Sequence, residues 1–136
     1  MGSAERRKGH DFERKVAKEL REIFPEAKRG LNQVRLGEGA DVEIPWFFIE
    51  CKHHKVAPLR SALKQAQDNT DGRMPVAICK DDRADPIVLM TYEDFKKILT
   101  LVRSQTSVYS SIDNAITSND KPNRKHDPAN DPDFLF

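Results

Sequence analysis

The sequence predicts a mixed α/β domain over roughly residues 8–103, followed by a polar tail. Three observations predict it. Apolar residues recur at helical spacing near residues 9–24, 57–69 and 91–103, short strand-like runs lie between those segments, and the periodicity disappears from Ser104 onward. A length of 136 residues suits one domain built around a single hydrophobic core.

Within residues 9–24, Phe12, Val16, Leu20 and Ile23 share one helical face, and Pro25 ends the helix. Residues 29–36 read as a basic turn entering a first strand. Gly37 and Gly39 punctuate the chain before a second strand, residues 40–44. A tight turn at Pro45–Trp46 leads into a third, residues 46–52. Residues 57–69 are helical, with Pro58 in the first turn and Leu59, Ala62, Leu63 and Ala66 on the inner face. Residues 75–80 and 86–90 are continuous apolar runs, the pattern of strands buried on both faces. Thr91 suits the N-cap of a last helix, with Asp94 three positions on and Phe95, Ile98, Leu99 and Val102 along one side. The order is α-β-β-β-α-β-β-α.

The charge count, 23 Lys+Arg against 22 Asp+Glu, gives a formal net charge of +1 and excludes a polycationic chain. The balance hides a division. Residues 104–136 carry three basic residues and five acidic ones, so the body is basic, most densely in its first 35 residues. That tail, rich in Ser, Asn, Asp and Pro, is expected to be disordered. No apolar run approaches the ~20 residues of a membrane helix, and the start has no apolar leader. Cys51 and Cys79 lie in apolar runs without metal-ligand spacing and read as buried free thiols, which points to a reducing, cytoplasmic setting.

The chemistry concentrates in Asp41-Val-Glu-Ile-Pro-Trp-Phe-Phe-Ile-Glu50-Cys-Lys52. Side chains alternate along a strand, so Glu50 and Lys52 share one face while Ile49 and Cys51 take the other. A turn centred on Pro45–Trp46 sets Asp41 opposite Glu50, with Cβ atoms ~4.5–5.5 Å apart. A slip of one residue would move Asp41 to the other face; Glu43, on the same strand face as Asp41, is a spare carboxylate and the alternative ligand in a different register. Two opposed carboxylates repel unless a cation lies between them, and hard oxygen donors suit Mg2+, with Mn2+ as substitute. The backbone carbonyl of Cys51 is a further oxygen donor, and Lys52 is placed to orient or deprotonate water, or to offset phosphate charge. A lone E-x-K on a strand is more often a structural ion pair; Asp41 on the preceding strand favours the catalytic alternative. In the first helix, Glu13 lies about 100° from Phe12, inside the arc marked by Phe12, Val16, Leu20 and Phe24, where a carboxylate needs a partner.

These residues resemble the PD-(D/E)xK nuclease superfamily. The likeness rests on Glu13 in HDFERKVAKEL, Gly39-Ala-Asp41 opening one strand, Ile49-Glu50-Cys-Lys52 closing the next, and Ala62-Leu-Lys-Gln65-Ala on the following helix. It covers residues 8–103 and is nearest to archaeal-type and bacteriophage Holliday-junction resolvase-like nucleases. Ala40 stands where the superfamily's name has proline, a departure many members share. The resemblance implies a restriction-endonuclease-like αβββαβ core with a mixed central sheet flanked by helices. It implies Mg2+-dependent cleavage of DNA, with Glu13, Asp41 and Glu50 on the metal, Lys52 as the catalytic lysine and Gln65 supporting the site. It also implies a homodimer.

Arg6, Arg7, Lys8, Arg29 and Arg35, with Arg60 and Lys64 on the second helix and His54 beyond Lys52, are the candidate DNA-binding residues. His53 is taken as a loop residue and His10 as an exposed residue preceding the first helix. The terminal Asn130-Asp-Pro-Asp-Phe-Leu-Phe136 resembles the acidic, Phe-ended tails through which single-stranded-DNA-binding proteins recruit partners, here a replication or recombination protein. The rival readings are another PD-(D/E)xK nuclease (mismatch, flap or exonuclease) and a non-catalytic DNA-binding or adaptor module on the same fold.

Overall fold

The computed structural model describes residues 2–30 and 39–118. Arg35 and the docking motif after residue 118 therefore lie outside the described residues. The chain divides into two compact units, Met1–Asp94 and Phe95–Phe136. The division falls before the expected end of the domain at residue 103.

The first unit holds a five-stranded mixed sheet. Its strands are β1 (Lys28–Arg29), β2 (Val42–Glu43), β3 (Phe47–His54), β4 (Met74–Asp81) and β5 (Ile87–Leu89), lying side by side in chain order. All neighbours are antiparallel except β3 and β4, which run parallel from Phe47↔Met74 to His54↔Asp81. A parallel pair needs a crossover, and helix α2 (Leu59–Asn69) supplies it.

Helix α1 spans Ser3–Leu20, starting earlier than the expected residue 9 and ending short of the expected residue 24, so Ile23, expected on its inner face, lies beyond the helix and is exposed. Its buried Phe12, Val16 and Ala17 pack on Val42, Ile49 and Cys51. Helix α2 buries Ala62 and Ala66 on the other face of the sheet, against Ala77 and Cys79 and against Phe48. The alternation along β3 decides this division: Ile49 and Cys51 face α1, while Phe48 faces α2. Phe48, 1% exposed, is the largest fully buried side chain, worth roughly 1.5–3 kcal/mol of burial. Both cysteines are buried free thiols, matching expectation.

The β2–β3 connection is tight. Phe47 N–H donates to the Pro45 carbonyl at 2.9 Å, and Trp46 takes φ 67°. That is a γ-turn with its central residue in the left-handed region, where a non-glycine residue costs on the order of 1–3 kcal/mol. Contacts on both sides hold Trp46 there: its carbonyl accepts Met74 N–H at 2.9 Å, and its ring meets Phe24 edge-on at 5.9 Å.

Two expectations are corrected. Residues 86–90 do not form a strand buried on both faces. The strand β5 ends the sheet, with Ile87 and Val88 exposed and β4 as its main contact. Nor does regular structure stop at Ser104: α3 (Tyr92–Ser104) is followed by α4 (Thr106–Ser118). The cap of α3 is as expected, Asp94 N–H donating to Thr91 Oγ1 at 3.1 Å. In the second unit no residue of α3 is buried, and Phe95 and Leu99 of its expected inner face are exposed. Among the described residues no helix is long and apolar enough to cross a membrane.

Candidate functional site

Register places the acidic pair. Val42 pairs with Ile49 and Glu43 with Phe48, the register that the turn at Pro45–Trp46 predicts, and it brings Asp41, one step before β2, beside Glu50. Asp41 is fixed at both backbone groups and at one side-chain oxygen. Its N–H donates to the Ile49 carbonyl at 2.8 Å, its carbonyl accepts Gly30 N–H at 2.9 Å, and its Oδ2 accepts Cys51 N–H at 2.7 Å. Gly30 must lack a side chain for this, since a Cβ there would come within 1.8 Å of the Ala40 carbonyl oxygen.

Asp41 is 2% exposed and Glu50 is fully buried. Three of their four carboxyl oxygens, Asp41 Oδ1 and both of Glu50, have no hydrogen-bond partner. Lys52 Nζ lies 3.2 Å from Glu50 Oε1, an ion-pair distance without hydrogen-bond alignment. Burial foremost, and then the neighbouring Glu50 charge, push the Asp41 carboxyl up to about 8 against the pull of the Cys51 N–H. Burial likewise raises Glu50, with Lys52 opposing. Two buried carboxyls beside one lysine cannot both ionise cheaply, so at neutral pH the pair retains a proton that a bound cation would displace. The Cys51 thiol is pushed well above its ordinary value, chiefly by burial, and is unreactive.

Glu13 sits near this pair but is engaged elsewhere. Arg29 donates to its Oε2 from Nε at 3.0 Å and from Nη2 at 2.8 Å. Consistent with that pairing, no three His, Cys, Asp or Glu side chains among the described residues converge as a ready-made cation site. The donor set still fits a hard divalent ion: unpartnered carboxyl oxygens, buried, with Glu13 on the adjoining wall. Glu43 is excluded as the alternative, because the register is the expected one and Arg73 Nη1 binds its carboxylate at 2.7 Å.

A cavity of about 350 Å3 opens beside the pair; Asp41 lines it together with Glu13, Cys51, Lys52 and His54, while Glu50 lies buried outside its wall. The α1 wall adds Glu5, Arg6, Gly9 and His10. His10 is therefore a helical residue of the cavity rather than one preceding the helix. Arg7 and Lys8 face a second cavity, and Lys8 binds Asp82 at 2.9 Å. Arg60 and Lys64 are exposed on α2, Lys64 paired with Asp68 at 2.8 Å, and neither lines either cavity. Gln65 is half-buried beside Ala66 and also stays outside them.

Sequence reasoning missed the part of the wall formed by Glu5, Gly9 and His10, and the place of Glu5 depends on α1 beginning at Ser3. The polar run before Phe12 has no apolar period, and Gly9 argues locally against a helix. The expectation of a loop residue at His53 is corrected: the residue lies within β3 instead, its Nε2 3.0 Å from Asp82 Oδ1 and its ring edge-on to Phe12 at 5.6 Å. Comparison with protein-family models, with curated proteins and with solved structures finds no match for this chain.

Proposed function

We propose that the chain is a Mg2+-dependent DNA endonuclease of the PD-(D/E)xK kind, selective for branched DNA in the manner of Holliday-junction resolvases. The observation that carries the reading is the buried Asp41–Glu50 pair beside Lys52, with Asp41 and Lys52 in the wall of an open cavity and Asp41 Oδ1 and Glu50 Oε2 without any partner. The bond from Cys51 N–H to Asp41 and the Lys52–Glu50 pair leave Asp41 Oδ1 and Glu50 Oε2 unexplained, and apolar residues of similar volume would avoid the desolvation cost.

In this reading Asp41 and Glu50 hold the ion, with Glu13 and the Cys51 carbonyl as further donors. When bound, Mg2+ supplies positive charge against the phosphate and makes water more acidic. The remaining work belongs to the chain's own groups. Lys52, a quarter exposed to the cavity, orients the attacking water and offsets charge on a phosphate oxygen. Water attacks phosphorus in line with the departing oxygen. Arg6 and His54 line the same cavity and take the flanking strand; Arg60, Lys64 and Gln65 act, if the substrate wraps the domain, from α2. Arg29 serves Glu13 before it serves DNA, since its guanidinium is already bound there.

Two copies would place two such sites on two strands of a junction. The rival is a DNA-binding module without catalysis, and the Arg29–Glu13 pairing, which holds one ligand away from the others, is the observation in its favour. Incubation of four-way junction, flap, duplex and single-stranded DNA with Mg2+ separates the two. Cleavage lost in Asp41→Ala and in Lys52→Ala is expected of the enzyme, and junction binding without cleavage would sink it.

A further inference from the structure

A second cavity, about 460 Å3, lies between α1 and the end of the β3–β4 pair. Arg7, Lys8, Lys15, His53 and Lys80 line it, and Asp11 is the one acidic residue in its wall. Asp11 is already engaged by Arg14 at 2.9 Å. The nearby Asp82 carboxylate is shared between Lys8 and His53. Lys80 is held by carbonyls rather than by a carboxylate, its Nζ donating to Ala84 O at 2.8 Å and to Asp81 O at 3.2 Å. Its charge is thus fixed in place without compensation. Lys15 reaches Glu19 only at 3.9 Å, with both side chains well exposed, and Arg7 enters no ion pair among the described residues. The cavity therefore offers more fixed positive charge than its own acids balance.

Its position matters as much as its charge. His53 lines both this cavity and the carboxylate cavity, so a chain leaving one passes over the imidazole into the other. Phe12 lines the basic cavity as well, giving a sugar an apolar surface beside the cations. We propose that this cavity is a second phosphate site, which binds a nucleic-acid phosphate on the strand that enters the carboxylate cavity. The proposal rests on the nuclease reading for its ligand class, but binding here requires neither cleavage nor a divalent ion. The phosphate is either an internal phosphodiester or a strand's 5′-terminal group; the shared chemistry is a phosphate anion met by lysine and arginine.

The test is binding of a short single-stranded oligonucleotide to the full chain in EDTA, read by fluorescence anisotropy across a salt series. Arg7→Ala, Lys15→Ala and Lys80→Met are each expected to weaken binding roughly three- to tenfold at low salt and to lower the salt slope by about one. Lys80 also ties a loop, so Arg7→Ala and Lys15→Ala, both at exposed positions, keep the test independent of folding. Lys18→Ala, exposed in the last turn of α1 and outside both cavities, is the control. Equal affinity for 5′-hydroxyl and 5′-phosphorylated strands assigns the site to an internal phosphodiester, and tighter binding of the phosphorylated strand assigns it to the end. Wild-type failure to bind, or variants that bind with the affinity and slope of Lys18→Ala, would overturn the site. Wild type that binds in this way yet cleaves no DNA would remove the nuclease reading and leave the site standing.

Discussion

Asp41→Asn is the perturbation that the buried pair makes most informative. The folded carboxyl is held near 8 against an ordinary value of 3.8, chiefly by burial. Below pH 3.8 both the folded and unfolded chains are protonated there, and no penalty exists. As pH rises, the unfolded chain ionises first, so folding loses stability progressively until the folded group also releases its proton near pH 8. At ~1.4 kcal/mol per pH unit, the loss has a ceiling of about 6 kcal/mol. Asparagine removes that slope and keeps the geometry: its carbonyl accepts Cys51 N–H, and its amide nitrogen takes the place of the unpartnered Oδ1. After relaxation and coupling to Glu50, Asp41→Asn is expected to exceed wild type by roughly 2–4 kcal/mol at pH 8 and to match it near pH 4. Urea unfolding followed by circular dichroism at both pH values, with and without Mg2+, measures this. Mg2+ at a hundredfold excess over its Kd adds about 2.7 kcal/mol to wild type at pH 8, and the variant should lose most of that gain. A variant less stable than wild type at pH 8, or a wild-type stability flat between pH 4 and 8, would refute the reasoning.

The other perturbations follow from single contacts. Gly30→Ala drives a Cβ against the Ala40 carbonyl, so it should cost roughly 3 kcal/mol or more in unfolding free energy and displace Asp41, reducing cleavage beyond the stability loss. Gly9→Ala should do the opposite to stability: its Cβ meets nothing, and a helix-interior alanine gains ~0.5–1 kcal/mol, read as a higher Tm. Glu43→Gln weakens the Arg73 ion pair at about 1–2 kcal/mol without altering the rate of cleavage, whereas Glu50→Gln raises stability at pH 8 and abolishes cleavage; equal effects on cleavage would show that the register argument misassigned the acids.

The part of this molecule that local rules govern was legible in its sequence. The Asp41–Glu50 opposition follows from the turn at Pro45–Trp46, because pairing on either side of a tight turn leaves little freedom of register. Spacing marks Phe12 and Val16 of α1 and Ala62 and Ala66 of α2 as buried, though not the exposure of Ile23 and Leu59, and the α3 cap follows from Thr91. The rest depends on neighbours distant in sequence. An apolar run such as residues 86–90 reads the same at the edge of a sheet as at its centre; only strand order reveals the exposure of Ile87 and Val88. The Arg29–Glu13 pair joins two elements whose approach no spacing announces. The start of α1 was hidden by Gly9 and a polar run that a helix tolerates when part of one face meets a sheet. Helix α4 has too weak an apolar period to stand out among Ser, Thr and Asn residues.

The account stands or falls on whether Asp41 and Lys52 perform chemistry on DNA. Single-turnover cleavage of a labelled four-way junction by wild type and Asp41→Asn, in Mg2+ and in EDTA, measures this most directly. Mg2+-dependent strand cleavage by wild type, lost in an Asp41→Asn protein that still folds and still binds the junction, is the predicted result. Equal cleavage by both proteins, or wild-type binding with no cleavage in Mg2+ or Mn2+, would contradict it.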